Sequence, residues 1–463
     1  MVPKPSLSPP CSAAAFLHKH LRAKKRGRAV SLPALTALFE TCYFASLQGE
    51  ENRPTLVTLA FMDPRNPDPT APPTIRPQRW TAHPLETKLD MTVRNLVKLA
   101  PSASPSSTII AVFEDSSVPY IWGLVDQQTD FREAFDREKY DVAHFPRPGL
   151  FQVEIVAPGT LTVFDDMHSV LTLHESSLTT GDSDVFHYGP VAALLRTYVD
   201  ACSKRALAKL SHARTRRAEA APRPEDVRAL CHSIWIASLC RIVLRIRRRK
   251  HGGALLLSPS SSVRLLSCKY QLRYLRLESI LIDHAIALAT TWAARDAIHQ
   301  HVKAARTDIP SPLYFQRTIA EITVDDCIDA ATGCVSFIAA LASVDGLVLL
   351  QKGLDVGAYG VEVTRRVDPP RVYSSSTASA TRRSLRRIDP QDFGTRHRSM
   401  MRYCHAAPGS IGFVVSQDGH VRCMTRVKGD VVVWDNVRLQ GWPAGIKEAA
   451  HSKKRLKVPA RGN

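Results

Sequence analysis

No two of the ten cysteines stand in a C-x-x-C spacing, and no pair of histidines is set at an interval suited to zinc. Zinc ribbons, zinc fingers and dithiol redox motifs are thereby excluded, and the thiols are expected to be buried and free. Cys231-His232 and Cys404-His405 are neighbours in sequence, so on a helix their side chains point in different directions and neither pair forms a dyad. Aromatic residues make up only 7% of the chain and do not interleave with the basic runs, which weakens a single-stranded nucleic-acid reading. A long uninterrupted apolar run is also missing. The best, 234–246, is broken by Arg241 and Arg245, and the basic residues near the start of the chain, Lys4 apart, follow a short Ala-rich patch instead of preceding it. Neither a membrane span nor a signal peptide is expected, and the protein reads as cytoplasmic. No internal repeat is evident.

Acid is in deficit. Against 43 Asp and Glu stand 62 Lys and Arg, a net charge of +19, which suggests polyanion contact or a strongly basic surface. Residues 201–250 hold 14 Lys and Arg and 3 Asp and Glu, ending in Arg245-Ile246-Arg247-Arg248-Arg249-Lys250, and a second run closes the chain at Lys453-Lys454-Arg455-Leu456-Lys457. Such runs fit solvated faces and helix ends as well as nucleic acid.

With 463 residues, 44% hydrophobic and 23% charged, the chain is expected to fold as two or three domains joined by Pro-rich connections. Residues 1–30 are Pro- and Lys/Arg-rich with little periodicity and are expected to be a disordered basic N-terminus. From Ser31, the spacing of Leu35, Leu38, Phe39 and Tyr43 predicts a helix ending near Gly49. Short β-branched or aromatic runs at 56–61, 108–113, 120–125 and 150–156 complete an N-terminal mixed α/β domain over 31–190. A helical connector over 191–223 leads to a domain at 224–437, followed by a basic tail at 438–463. In that domain helices, including a long helical stretch over 265–303, alternate with apolar strands at 252–257, 346–350, 358–363, 411–416, 421–426 and 431–434, which is the pattern of an α/β sheet covered on both faces. The turn signals Gln417-Asp418-Gly419-His420 and Lys428-Gly429-Asp430 make the last strands an antiparallel meander. Residues 371–390, rich in Ser, Thr, Ala and Arg, read as a flexible insertion, either a loop that closes over a ligand or a plain surface excursion.

The insertion leads into Gly394-Thr395-Arg396-His397-Arg398. Thr395 is a good N-cap, and the residues that follow are helix-compatible until Pro408-Gly409. Three basic side chains therefore crowd the positive end of a helix dipole, where each exposed cation costs roughly 0.3–1 kcal/mol. That concentration of donors suits an anion, and a di- or triphosphate fits best. A second candidate element is Asp345-Gly346-Leu347, opening an apolar strand: the glycine lets backbone approach a ligand, and the carboxylate can hold a divalent cation or take a proton from a ribose hydroxyl. Asp-Gly is equally a common turn dipeptide.

Taken in chain order, Gly252-Gly253-Ala254-Leu255, Asp345-Gly346-Leu347, Gly394-Thr395-Arg396-His397-Arg398 and Ile411-Gly412-Phe413-Val414-Val415-Ser416 resemble the diadenylate cyclase (DAC) domain, which carries a G-A-L strand, a D-G-A motif, G-T-R-H-R opening a helix, and an apolar strand ending in S-E-E-T-G. The N-terminal half, with Phe61-Met62-Asp63-Pro64-Arg65-Asn66-Pro67-Asp68-Pro69, Ile121-Trp122-Gly123-Leu124-Val125-Asp126 and Pro146-Arg147-Pro148-Gly149, is similar to the bacterial probable sensor domain group DACNV.

The resemblance implies a DAC-like mixed sheet wrapped by helices that binds an ATP-like purine nucleotide or a cyclic dinucleotide. Asp345 would stand near the ribose hydroxyl and a Mg2+ or Mn2+ ion, Gly346 and Leu347 along the nucleotide, and Thr395, Arg396, His397 and Arg398 on the phosphates, with Asp345 and His397 as catalytic candidates. Active members pair as face-to-face homodimers and join two ATP into cyclic di-AMP. Three departures favour binding over turnover: Leu347 stands where the family keeps Ala, Ser416-Gln417-Asp418-Gly419 replaces S-E-E-T-G, and the connections at 265–303 and 371–390 are enlarged. A nucleotide-binding signalling sensor is the leading expectation, with an active diadenylate cyclase and a nucleic-acid-binding protein as alternatives. Trp122, Asp126 and Arg147 are candidates for a second ligand site and serve equally well as packing and turn residues.

Overall fold

The structure, a computed structural model, describes residues 8–24, 30–50, 53–67, 80–103, 108–127, 147–165, 168–180, 183–213, 220–249, 251–259, 264–304, 309–417 and 419–439. The chain divides into two units, Met1–Asp182 and Ser183–Asn463. Asp68, Pro69, Pro146, Lys250, Asp418 and the basic tail from residue 440 lie outside the described residues.

In the first unit, helices α1 (Pro9–Ala23), α2 (Leu32–Ser46) and α3 (Val93–Leu99) accompany strands β1 (Gly49–Glu50), β2 (Arg53–Pro54), β3 (Thr58–Phe61), β4 (Trp80–Asp90), β5 (Thr108–Asp115), β6 (Val118–Gln127), β7 (Gln152–Ala157), β8 (Thr160–Asp165), β9 (His168–His174) and β10 (Ser177–Thr180). Strands β3 to β10 form one sheet in the order β10-β9-β8-β7-β3-β5-β6-β4. Its only parallel pair among the described strands is β3 with β5; the rest of the ladder is antiparallel. Ser31 caps α2 by accepting from the Ala34 N–H and donates its own hydroxyl to Glu114 at 2.6 Å, which ties the helix start to the end of β5.

The expectation of disorder over 1–30 is corrected by α1. Ala13, Leu17 and Leu21 recur every fourth residue and are buried, so the alanine-rich stretch is one apolar helical stripe whose periodicity the surrounding charges dilute. The fully buried Asp165 anchors its far end, accepting from Lys24 Nζ at 2.6 Å and facing His20 Nε2 at 2.9 Å.

In the second unit, helices α4 (Gly189–Ala213), α5 (Pro224–Arg248), α6 (Arg276–Lys303), α7 (Ser311–Leu341) and α8 (Thr395–Ala406) surround strands β11 (Gly253–Leu257), β12 (Leu266–Tyr274), β13 (Leu347–Leu350), β14 (Val356–Val363), β15 (Val372–Ser375), β16 (Leu385–Ile388), β17 (Ile411–Val415), β18 (Val421–Val427) and β19 (Asp430–Trp434). They form a mixed sheet in the order β12-β14-β13-β11-β17-β18-β19-β15-β16. The two faces are covered by different helices. A side chain at Gly253 would strike Ile246 of α5 and Ala342 at the end of α7, whereas one at Gly412 would strike Met400 of α8. On the α8 face, Leu256, Leu349, Met400, Met424 and Val433 share one buried cluster. The β17-β18-β19 meander turns at Lys428 and Gly429, both with positive φ (48° and 98°).

Four expectations change here. The 191–223 connector is α4 for most of its described length, and α4 belongs to the second unit, its Val191, Leu195, Tyr198 and Cys202 being buried. Residues 266–274, read as helix, are edge strand β12; its charges and alternating exposure obscured the period. The 371–390 insertion is the hairpin β15-β16, joined to β19 by a parallel register and held at its turn by Trp434 Nε1 donating to the Thr377 carbonyl at 2.9 Å. Finally, α5 is long and apolar enough to cross a membrane by length and composition, despite Arg241 and Arg245, and 78% of its most apolar window is buried inside the fold.

Candidate functional site

Sheet register brings the four segments singled out in the sequence to one end of the second unit. β11 and β13 run parallel, so their starts, preceded by Gly252 and by Asp345-Gly346, lie at the same end. β17 runs against β11 and ends there, since Gly253 pairs with Val415. α8 opens at the same place. A Cβ at Gly252, whose φ is +72°, would stand 3.2 Å from Arg396 Nη1, 3.1 Å from the Val415 carbonyl oxygen and 3.4 Å from the Gln417 nitrogen. Arg396 Nη2 is 3.6 Å from Asp345 Oδ1. The guanidinium thus lies over a glycine that any side chain would displace, between the ends of β11 and β17 and the Asp345 carboxylate.

Within Asp345-Gly346-Leu347 the three residues do different work. The Asp345 side chain is 89% exposed. Gly346 has φ +112°, and a Cβ there would fall 2.6 Å from the Gly360 carbonyl carbon and 2.8 Å from the Val361 nitrogen. Its close approach is to the neighbouring strand and not to an open surface. Leu347 is 5% exposed and packs in the cluster under α8. Fold requirements account for Gly346 and Leu347; only Asp345 is presented to solvent.

At the mouth of α8, Gly394 is the N-cap and makes no side-chain cap bond, and Thr395, expected as the cap, is the first helical residue. The first turn holds no acid. A Cβ at Gly394 would meet nothing within 4 Å. The leading N–H groups therefore have no side-chain cap, and the helix start opens onto free space.

The three basic residues that follow diverge. Arg398 Nη2 donates to Asp368 Oδ2 at 2.9 Å, and the other oxygen of that carboxylate takes Arg402 Nε. These two arginines, Arg402 foremost, hold Asp368 below the usual carboxylate range. His397 faces Arg422 Nη1 at 3.2 Å, with Arg422 itself paired to Asp435, and its ring lies 5.9 Å from that of Phe393. Burial, reinforced by the Arg422 charge, pulls the imidazole down to about 4, so it is neutral at physiological pH. Arg396, whose one ion pair among the described residues is the long contact to an exposed carboxylate, is the least committed cation of the three.

Sequence reasoning missed the neighbours of Asp345 on β12 and β14. Tyr270 and Tyr359 stack with centroids 4.8 Å apart, and Tyr270 is half exposed. Gly360, φ +61°, links this pair to the turn: a Cβ on it would be 3.2 Å from Tyr270 Cδ2 and 3.5 Å from the Asp345 carbonyl. Lys269 pairs with Glu362 at 2.9 Å, and the Asp345 carboxylate adds to the pull that raises its ammonium. The only signal in the sequence was the Lys269-Tyr270 alternation inside a segment read as helix.

Among the described residues no group of three His, Cys, Asp or Glu is placed to hold a metal. The exposed Asp345 carboxylate at the mouth can face a divalent cation, which would complete its shell with phosphate oxygens and water. The basic run from Arg245 forms the last turn of α5, where cations are favoured by the helix dipole. In the first unit, Trp122 donates to the Met62 carbonyl at 3.0 Å, and Arg147 bonds Gln152 and covers the Phe164 ring at 3.8 Å, while Asp126 is exposed. Trp122 and Arg147 are packing residues.

Residues 26–126 match the family model described as probable sensor domain DACNV. The match runs from before α2 through β5 and most of β6, all in the first unit, and includes none of the residues around Asp345 and Arg396. No curated protein matches the chain.

Proposed function

We propose that this chain, a probable sensor by its 26–126 segment, senses a purine nucleotide or cyclic dinucleotide through its second unit. The phosphates would sit at the uncapped start of α8 and take Arg396 as their principal cation, with a Mg2+ or Mn2+ ion, where one is bound, shared between phosphate oxygens and Asp345. The stacked Tyr270 and Tyr359 offer a flat apolar surface for a base on the same side of Asp345. One observation carries the reading: Arg396 lies over Gly252 and within 3.6 Å of Asp345, beside a helix start that no side chain caps. An arginine held there serves no core contact, and an anion at that point satisfies both the guanidinium and the free N–H groups.

Calorimetric titration of the full chain with ATP and with a cyclic dinucleotide, with and without Mg2+, tests it. Arg396→Ala is expected to weaken binding by roughly 1.5–3 kcal/mol, the size of a charged hydrogen bond. Arg398→Ala should lower stability through Asp368 and change affinity far less. Equal losses in both variants, or no binding by the wild type, would sink the reading.

The exposure of Asp345 favours a second reading, an active diadenylate cyclase in which that carboxylate and its metal serve a ribose hydroxyl. Incubation with labelled ATP and Mn2+ separates the two: a cyclic dinucleotide product establishes turnover, and unchanged ATP leaves binding alone.

A further inference from the structure

The outward face of α7 is apolar where a helix packed against a soluble fold is ordinarily polar. Phe315, Ile319 and Ile322, spaced four and three residues apart, are 67%, 63% and 57% exposed. The opposite face is conventional: Leu313, Ala320, Val324, Cys327 and Ala331 are buried. Val302, near the end of the preceding helix α6, adds a fourth exposed apolar side chain. A contiguous stripe of this kind marks an interaction surface more often than chance.

Charge is asymmetric about the stripe. Beyond its C-terminal end, Asp325, Asp326 and Asp329 continue the exposed face, and no ion pair among the described residues engages them. Beyond its other end comes α6. The two helices are antiparallel, since the Tyr274 ring before α6 lies 4.7 Å from the Phe337 ring near the end of α7, and Arg295 pairs with Glu321. This register sets the exposed His299 and Lys303 of α6 beside the first turns of α7. Among the described residues, acid lies at one end of the apolar patch and base at the other.

We infer that this face pairs with the same face of a second copy of the chain, in an antiparallel arrangement about a two-fold axis passing near Ile319 and Ile322. A two-fold is the operation that turns this asymmetry into complementarity: it lays the acids of each copy over the bases of the other while the apolar side chains meet at the centre. A parallel or translated pairing would stack acid on acid. The occupant is therefore a self-partner in preference to an unrelated basic helix, which would leave Lys303 opposed by like charge. The inference is independent of nucleotide binding. α7 covers the sheet face opposite α8, so a pair formed here does not bring two α8 mouths face to face as active cyclases require.

Sedimentation equilibrium of the full chain tests this. A species of twice the 51.2 kDa chain mass is expected at micromolar concentration. Ile319→Glu should return it to a monomer with unchanged circular dichroism, and Phe315→Ser, a milder change at the stripe's edge, should weaken association while keeping the fold. Asp325→Lys with Asp329→Lys should weaken the pair about tenfold at low salt, and adding His299→Glu with Lys303→Glu should restore it. A wild type that stays monomeric, a dimer indifferent to the stripe variants, or a charge swap that fails to restore association would each overturn the inference.

Discussion

The two ends of β13 carry aspartates in opposite circumstances. Asp345, just before the strand, is 89% exposed and faces a guanidinium at 3.6 Å. Asp355, just after it, is buried beside the buried Glu278, and the two carboxyls close around Gly353: a Cβ there would stand 2.4 Å from Glu278 Cδ and 2.9 Å from Asp355 Oδ2. Arg205 pairs with Glu278, yet Glu278 Oε1 and Asp355 Oδ1 have no hydrogen-bond partner among the described residues. Burial first, and then the Asp355 charge, raises Glu278 above the usual carboxylate range, while burial raises Asp355. For an acid drawn inside, burial disfavours the charged form. The one held outside beside an arginine has no fold contact to account for it and stays available to a ligand. Composition does not separate the two, but surroundings do.

The largest expected effect tests the floor under the exposed end. Gly346→Ala combines a positive φ with a collision against the backbone of β14, and relief requires strand movement because the struck atoms belong to Gly360 and Val361. The substitution should destabilise the second unit by about 3 kcal/mol. Urea unfolding followed by tryptophan fluorescence would read it, and a loss under about 0.5 kcal/mol would mean that Asp345 is not held by the strand contact described.

The buried end should respond to pH. With folded-state values above the unfolded ones, Glu278 and Asp355 bind more protons in the folded chain, so stability falls as pH rises from the ordinary carboxylate value of about 4 through the raised values. Asp368 has the opposite sign: its depressed value stabilises above the ordinary carboxylate range and is lost as pH falls through the folded one. Asp355→Asn should flatten the neutral-side decline and gain roughly 1 kcal/mol at pH 8. A melting curve whose pH dependence is unchanged in the variant would remove the account of carboxyls raised by burial.

How much of this was visible in the chain follows the same division between local and distant causes. β11, β17 and β18 were legible because each is a short apolar run bounded by glycine or a turn, and the helix at 395 because Pro408-Gly409 ends a compatible stretch. The edge strand β12 and the hairpin β15-β16 were not, because solvent-facing strands carry charges and hydroxyls that erase the apolar alternation. Within Arg396-His397-Arg398 the sequence offered three equivalent cations. What distinguishes them is Asp368, thirty residues before Arg398, and the Arg422–Asp435 pair against His397, contacts that only the folded sheet creates. Glu278 and Asp355 meet across a similar gulf, with the rest of α6, all of α7 and β13 between them in the chain.

The smallest expected effect is the one that best separates fold from function at the α8 mouth. Gly394 is exposed, has room for a side chain and leaves the helix without a side-chain cap. Gly394→Asp supplies that cap and a negative charge at the positive end of the dipole, so stability should rise by about 0.5 kcal/mol. The same carboxylate occupies the ground proposed for phosphate and competes for Arg396, so nucleotide affinity should fall. Gly394→Ser caps without charge and should stabilise slightly while retaining most of the affinity. Thermal melts and calorimetry on the pair decide the matter: if Asp stabilises and nucleotide binds as tightly as before, the start of α8 is an ordinary helix end, and Arg396 answers to Asp345 alone.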